Sequence, residues 1–306
     1  MAQHEITAEQ INIKTRENTK EFILSCENRY KLQIESAVCD ICKKSGHRLV
    51  MLAGPSSSGK TTTASLIAKE AQKRSRNAVV ISLDDFYLDQ TRTLYFEDGT
   101  PDFETVSALD VDYIIKCLTS LVKTGECLLP RFSFLEKKRE EQLVPVRIEK
   151  DDVIIVEGLH AMNPKITSHL EDSCLTKLYV SVSSRVLKEG KVLFSKRDLR
   201  FIRRMIRDYH FRNAEIDYTF NLWKGVRMGE DRYLFPFRSL SDVKIDSFHA
   251  YEPCLFKDEA KRLLDRIGKD SVYYDSANAL SKKLSVFESI DRSQIPENSL
   301  LHEFIG

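Results

Sequence analysis

The sequence predicts an α/β protein: a mostly parallel sheet of about five strands with helices on both faces. Three observations carry this. Short runs are apolar without alternation, as in strands buried on both faces. Helical patterns separate them. A glycine-bounded polar loop also joins the first such strand to the first helix that follows it.

In chain order, residues 8–45 carry apolar positions at helical spacing (Phe22, Ile23, Cys26, Tyr30, Ile34, Val38, Ile41), with Gly46 as a stop. They read as one long or two shorter helices. Leu49–Ala53 is the first strand and 60–74 a helix. Ala78–Leu83 is the second strand, with a helix over 110–124. Asp152–Val156 and Lys177–Val182 are the third and fourth strands. Residues 196–228 are mostly helical, Val243–Asp246 is a last short strand, and 256–267 is a helix. Residues 125–150 break the alternation and suit a β-hairpin insertion with Pro130 and Pro145 near its ends. The domains expected are an N-terminal helical extension (1–48), a main domain (49–268) and a tail packed on it (269–306).

Composition bounds the function. The chain has 306 residues, 42% hydrophobic and 30% charged, which suits a large core. The formal net charge of +1 gives no general argument for nucleic acid or an anionic membrane. No apolar run approaches the roughly 18–20 residues of a membrane span. The first 20 residues are polar, and the seven cysteines are expected free in a reduced, cytoplasmic protein. Cys39 and Cys42 have redox or metal spacing, but nothing completes a zinc site, so they read as helix residues near the core.

The loop supplies the chemistry. Gly54-Pro55-Ser56-Ser57-Ser58-Gly59-Lys60-Thr61 matches G-x-x-x-x-G-K-[ST], between a strand and a helix. Small residues let successive backbone N–H groups converge on an anion, and the helix N-terminus adds partial positive charge. Gly54, Ser56, Ser57, Ser58, Gly59, Lys60, Thr61 and Thr62 are therefore the expected triphosphate cradle. Lys60 reaches the β- and γ-phosphates, and the Thr61 hydroxyl ligates Mg²⁺. The fold is then a P-loop NTPase fold. No N-K-x-D guanine motif accompanies the loop, and the only D-x-x-G, Asp265 to Gly268, falls too late for a GTPase switch.

Two further segments favour a kinase. The second strand, expected beside the P-loop strand, ends Ser82-Leu83-Asp84-Asp85-Phe86-Tyr87, and a transferase needs a carboxylate there to take the acceptor hydroxyl's proton. Glu157 ends the third strand, where an acid can organise Mg²⁺. Between Arg185 and Arg212 stand ten Lys/Arg against three Asp/Glu. Arg203, Arg204, Arg207 and Arg212 suit an arginine-bearing lid over the phosphates, spanning 197–215. The competing readings are a capping Asp pair, a solvated helix face and a nucleic-acid strip, the last disfavoured by near-neutral charge. Phe132 and Phe134 share a strand face, for core packing or for stacking on a flat substrate. Trp223 reads as a packing anchor. His160 stands at a strand's C-terminal edge, and His210 and His249 read as structural.

With these residues in view, the chain resembles the uridine kinase/phosphoribulokinase family of P-loop kinases over roughly residues 49–250. GPSSSGKTT, LDDFY, the DFE of Asp102–Glu104, LPRFSF, VIIVEG and the arginine segment occur in the family's order. RFIRRMIRDYHFR, GEDRYLFPF, FHAYEPCLFK and IPENSLLHEFIG further resemble the kinase module of bacterial nucleoside-kinase-like proteins. In those a domain related to threonyl-tRNA synthetase precedes the kinase; here 48 mostly helical residues precede the first strand. The resemblance implies ATP and Mg²⁺ as cofactors and a small-molecule acceptor, most often the 5′-hydroxyl of a nucleoside. It places Asp84 as general base and second metal contact, Lys60, Arg204 and Arg207 as catalytic cations, and Thr61 and Glu157 on Mg²⁺. Tyr87, Phe103, Glu104, Phe132, Phe134, Lys137, Arg204 and Arg212 fall on the acceptor. Glu104 stands where uridine kinases hold ribose hydroxyls with an aspartate, and Lys137 where they read the base with a histidine. A non-nucleoside acceptor (a sugar phosphate, pantothenate or glycerate) and a non-catalytic NTP-binding regulator are the alternatives. Exposed aromatics in 229–237 suit a contact between copies in a homo-oligomer.

Overall fold

The computed structural model describes residues 5–43, 46, 48–89, 94–99, 102, 104–133, 136 and 138–306. Phe103, Phe134 and Lys137 lie outside the described residues. In chain order the strands and α-helices are β1 (Glu5–Thr7), α1 (Ala8–Cys42), β2 (Arg48–Ala53), α2 (Lys60–Lys73), β3 (Ala78–Ser82) and α3 (Val111–Thr124). Then come β4 (Glu126–Leu129), β5 (Phe132–Ser133), β6 (Lys138–Arg139), β7 (Val144–Arg147), β8 (Val153–Glu157) and α4 (Pro164–Thr167). β9 (Leu175–Ser181), β10 (Arg185–Lys188), β11 (Lys191–Phe194), α5 (Lys196–Arg212), α6 (Ile216–Tyr233), β12 (Val243–Asp246), α7 (Glu252–Leu264), α8 (Tyr274–Leu284) and α9 (His302–Ile305) complete the list.

The central sheet has five parallel strands in the order β12-β9-β2-β8-β3. Its strands are apolar on both faces because both faces are covered. Val50 and Leu52 of β2 join the core under α1, α2, α5 and α7, while Leu49, Met51 and Ala53 join the core under α3 and α4. β8 divides the same way, with Val153 and Ile155 on one side and Ile154 and Val156 on the other. Alternation is real in space but invisible as polarity, since both directions lead into a core.

One expectation about order is corrected. β3 does not lie beside β2; β8 pairs with both and stands between them. Register still brings the three strand ends level, since Leu52 pairs with Glu157 and Glu157 with Ser82. The phosphate loop, Glu157 and Asp84 therefore leave the sheet at one height, at the carboxyl edge where such sheets bind ligands.

Several elements differ from the sequence reading. The N-terminal segment begins with β1, which pairs with β10 of a small three-stranded sheet. β10 and β11 form a hairpin whose two-residue turn, Glu189-Gly190, has both residues at positive φ. Its lysines, read as part of a basic run, mask the strand pattern. α1 continues to Cys42 with a break at Asn18, and it is not peripheral: Phe22, Tyr30, Ile34 and Val38 are core residues. Residues 196–228 divide into two helices because Asn213 adopts a left-handed conformation (φ 48°) and closes α5. The stretch read as a lid is α5 and the turn after it. Its body is seated in the core through Leu199, Phe201, Ile202, Met205 and Ile206. The insertion is a double hairpin, β4 with β7 and β5 with β6, and Pro145 sits within the two-stranded outer ladder where its missing N–H costs nothing.

Two buried ion pairs tie α5 to the rest. Arg203 has no exposure and donates to both carboxylate oxygens of Glu252 at 2.6 and 2.9 Å, to Ser247 O at 2.8 Å and to Ser57 O at 3.4 Å. Removing one partner strands a buried charge, which costs about 3–5 kcal/mol. Glu252→Ala is therefore expected to lower the unfolding free energy by about that amount in denaturant titration; a loss within about 0.5 kcal/mol would show the pair to be dispensable.

Candidate active site

The phosphate loop is shaped by close packing as much as by its motif. A Cβ on Gly54 would stand 2.3 Å from Val180 O of the adjacent strand, so only glycine lets the loop leave β2 there. Gly59 is left-handed (φ 84°) and lies against Leu300, whose Cδ1 would be 2.4 Å from an added Cβ. The loop carbonyls and amides are then held from α5 and α6. Ser56 N donates to Glu230 Oε1 at 2.8 Å, and Arg200 Nη1 donates to Ser56 O at 3.0 Å. Arg200 and Glu230 are themselves paired twice, at 2.6 and 2.7 Å, and both are buried. Arg204 Nη1 donates to Ser56 Oγ at 2.8 Å.

A cavity of about 690 Å³ opens above the carboxyl edge of the sheet. Ser56, Ser57, Ser58, Gly59, Lys60 and Thr61 line one side, with Glu157 between them and Asp84. Tyr87, Glu104 and His160 also line the cavity, and Arg204, Arg207 and Arg212 reach it from α5. Four sequence expectations are revised. Phe132 is buried behind Tyr87, ring centroids 5.7 Å apart, and is not on the cavity wall. Gly54 contributes backbone packing below the cavity. Thr62 is not on the cavity wall; its hydroxyl donates to the lining residue Glu303, at Oε2, at 2.6 Å. Arg203, grouped with the lid arginines, is spent in the core. Trp223 is a packing anchor as read, 5.5 Å from Phe201 and under the Arg200 guanidinium at 5.4 Å.

Electrostatics follow from the enclosure. Burial raises the Glu157 carboxyl, against the pull of Lys60. The Asp84 carboxyl is open to the cleft, yet the cleft walls withdraw enough water to raise it; Lys60, Arg212 and Arg207 oppose the shift. Glu104 is pushed up to about 7 by burial, with Arg204 opposing and Glu230 and Asp84 adding to it. Burial lowers His160 to about 4, so its ring is neutral near pH 7, and Nε2 meets Glu104 O at 2.9 Å. Asp208 holds three cations in place: Arg204 Nε at 3.1 Å, Arg207 at 2.8 Å and Arg212 at 3.4 Å.

The site fits a nucleotide triphosphate with Mg²⁺. The hydroxyls of Ser57 and Ser58 are buried in the loop without a hydrogen-bond partner, an arrangement that phosphate oxygens would complete. Thr61 Oγ1 and Ser82 Oγ both donate to Glu157 Oε1, at 3.3 and 3.0 Å. That is a hard-oxygen donor set of the kind Mg²⁺ takes, completed by phosphates and water. Among the described residues no cluster of three or more His, Cys, Asp or Glu could hold a metal unaided.

Residues 49–252 match the Phosphoribulokinase / Uridine kinase family. The chain belongs to that family. As a phosphoribulokinase/uridine kinase family member it is a phosphotransferase. It is 28% identical over 199 residues to uridine kinases of Staphylococcus aureus strains JH9 and Newman, covering 64% of this chain and 86% of theirs. Among solved structures it is similar to a possible uridine kinase from Bacillus stearothermophilus (17% identity, TM-score 0.44, 69% of this chain and 98% of that one). It is also similar to phosphoribulokinase from Rhodobacter spheroides (14%, TM-score 0.44, 65% and 69%). No described helix is long and apolar enough to cross a membrane. All seven cysteines are free.

Sequence reading missed the supports of this site. Arg200, Glu230 and Glu303 act on loop residues far away in the chain, and Asp208 acts on arginines of its own helix, a role that the basic run around it concealed.

The Glu104 shift gives a pH prediction. Its carboxyl holds its proton up to about pH 7 folded, against 4.5 for an ordinary glutamate. Between those values the folded state binds the extra proton, so its contribution to stability falls as pH rises through the window and is gone above it. Glu104→Gln is expected to flatten the decline in melting temperature between pH about 4.5 and about 7. An unchanged slope would place the carboxyl's titration in the ordinary range.

Proposed function

We propose that this kinase transfers the γ-phosphoryl group of ATP, with Mg²⁺, to an alcohol of a small metabolite, the 5′-hydroxyl of a nucleoside. The carrying observation is the meeting of Lys60, Thr61, Glu157 and Asp84 in one cavity with Tyr87 and Glu104.

The roles follow from position. The loop amides and Lys60 hold the β- and γ-phosphates, and Arg204 and Arg207 face the charge that spreads in transfer. Thr61 and Glu157 would hold Mg²⁺, which supplies charge neutralisation when bound. Asp84, beside Lys60, takes the proton of the acceptor hydroxyl, and its raised carboxyl makes it a better base than an ordinary aspartate. Glu104 accepts hydrogen bonds from the ribose hydroxyls, and Tyr87 covers the sugar. His160 fixes the backbone of Glu104, and Gly229 of α6 admits its side chain: a Cβ there would stand 2.3 Å from Glu104 Cβ. The uridine kinase relatives support the nucleoside acceptor. The three cavity arginines favour testing sugar phosphates as the second class.

Asp84→Asn is expected to fold and bind ATP as the parent does while kcat falls by about 10²–10⁴ in an ADP-release assay. Near-parental turnover would remove Asp84 from the base role. Gly229→Ala is expected to raise the acceptor KM by about tenfold with the ATP KM unchanged, read from the same assay; an effect on ATP alone would place Glu104 on the donor.

A further inference from the structure

Residues 299–306 lie outside the matched residues 49–252, yet they bring one side chain, Glu303, into the cavity wall. Leu300, Leu301 and Phe304 have no exposure, and Phe304 lies 5.0 Å beneath the Arg203 guanidinium. Leu300 covers Gly59 of the phosphate loop. α9 is thus seated against α5 and the loop, and Glu303 is held at the cavity by that packing.

Glu303 arrives at the end of the cavity that carries Glu157. Thr61 and Thr62 are consecutive in the first turn of α2, and their hydroxyls serve two different carboxylates. Thr61 Oγ1 donates to Glu157 Oε1 at 3.3 Å, and Thr62 Oγ1 donates to Glu303 Oε2 at 2.6 Å. Burial leads the upward push on the Glu157 carboxyl, and the charges of Asp84 and Glu303 add to it. Among the described residues Glu303 makes no ion pair, and its Oε1 accepts no hydrogen bond. A carboxylate kept close to another acid, without a cation of its own, favours a cation between or beside them. The loop next to them points to the same ligand. Ser57 and Ser58, 3% and 0% exposed, leave their hydroxyls buried and unpartnered, as a site for phosphate and its counter-ion would. Mg²⁺ bound by phosphates and one or two carboxylates keeps several of its waters, and a neighbouring acid can accept hydrogen bonds from them.

We propose that Glu303 is a second Mg²⁺-associated carboxylate, working beside Glu157, so that α9 completes the metal end of the donor site. The inference rests on the donor half of the function proposed above. Thr62 is the positioning residue, orienting the carboxylate through the 2.6 Å hydrogen bond.

The test is calorimetric titration of the full chain with ATP, once in Mg²⁺ and once in EDTA, with no acceptor. It reads the factor by which Mg²⁺ tightens ATP binding, which is a coupling between ion and nucleotide. Glu303→Gln keeps the side chain's size and an acceptor for Thr62 but removes the charge. It is expected to lower the factor about tenfold by weakening ATP in Mg²⁺ alone, with binding in EDTA as the fold control. Thr62→Val, which keeps the charge and frees its orientation, is expected to lower the factor about threefold. Glu157→Gln is the reference and is expected to lower it at least as much as Glu303→Gln. A factor unchanged in Glu303→Gln, including one left unchanged by equal losses in both conditions, overturns the proposal; if Glu157→Gln still lowers it, the donor site stands. A factor unchanged in both variants, or a parental factor of about one, removes the Mg²⁺ assignment of Glu157 as well.

Discussion

The buried pair of Arg200 and Glu230 is the constraint on which the site depends. Between them they take both backbone groups of Ser56: Glu230 accepts its N–H and Arg200 donates to its carbonyl. A phosphate loop works only if its amides converge, and amides converge only if the loop cannot relax around its own carbonyls. Here a charged clamp does that fixing, inside a core where a lone charge would be costly. Each ion satisfies the other twice, and each spends a remaining valence on the loop.

The same helix that brings Glu230 also packs against Glu104. Gly229, one residue earlier, has no side chain, and Glu104 occupies that space. α6 thus touches the phosphate loop and the Glu104 carboxylate at consecutive positions. Glu230 also helps to hold the Glu104 proton, by adding negative charge nearby. The two halves of the site are physically coupled through one turn of helix. Burial is the main cause of the raised Glu104 carboxyl, with Glu230 and Asp84 adding to it against Arg204.

Legibility in the sequence followed the range of the interactions. The loop Gly54–Thr61 is local, and its motif, strand and helix sit within a short stretch, so it read cleanly. Glu157 ends β8 and Asp84 lies in the turn just after β3, so both stood out as acids at the end of a visible apolar run. Their order in the sheet did not: nothing local says that β8 inserts between β2 and β3. β10 and β11 were hidden by lysines whose solvent-facing sides mask the pattern. Phe132 was ambiguous because strand alternation places a ring on a face without saying which face meets substrate. Glu303 and Glu230 were illegible because each acts on a partner more than 150 residues away.

The central claim, that the proton removed by Asp84 comes from a nucleoside 5′-hydroxyl, has one direct measurement. Phosphorus NMR of the products formed from ATP·Mg²⁺ with uridine, cytidine and their 5′-deoxy forms tests it. The account predicts 5′-monophosphates from the hydroxylated nucleosides and none from the 5′-deoxy forms. Phosphate on another position, or ADP formed only with a sugar phosphate or hydroxy acid, would contradict it.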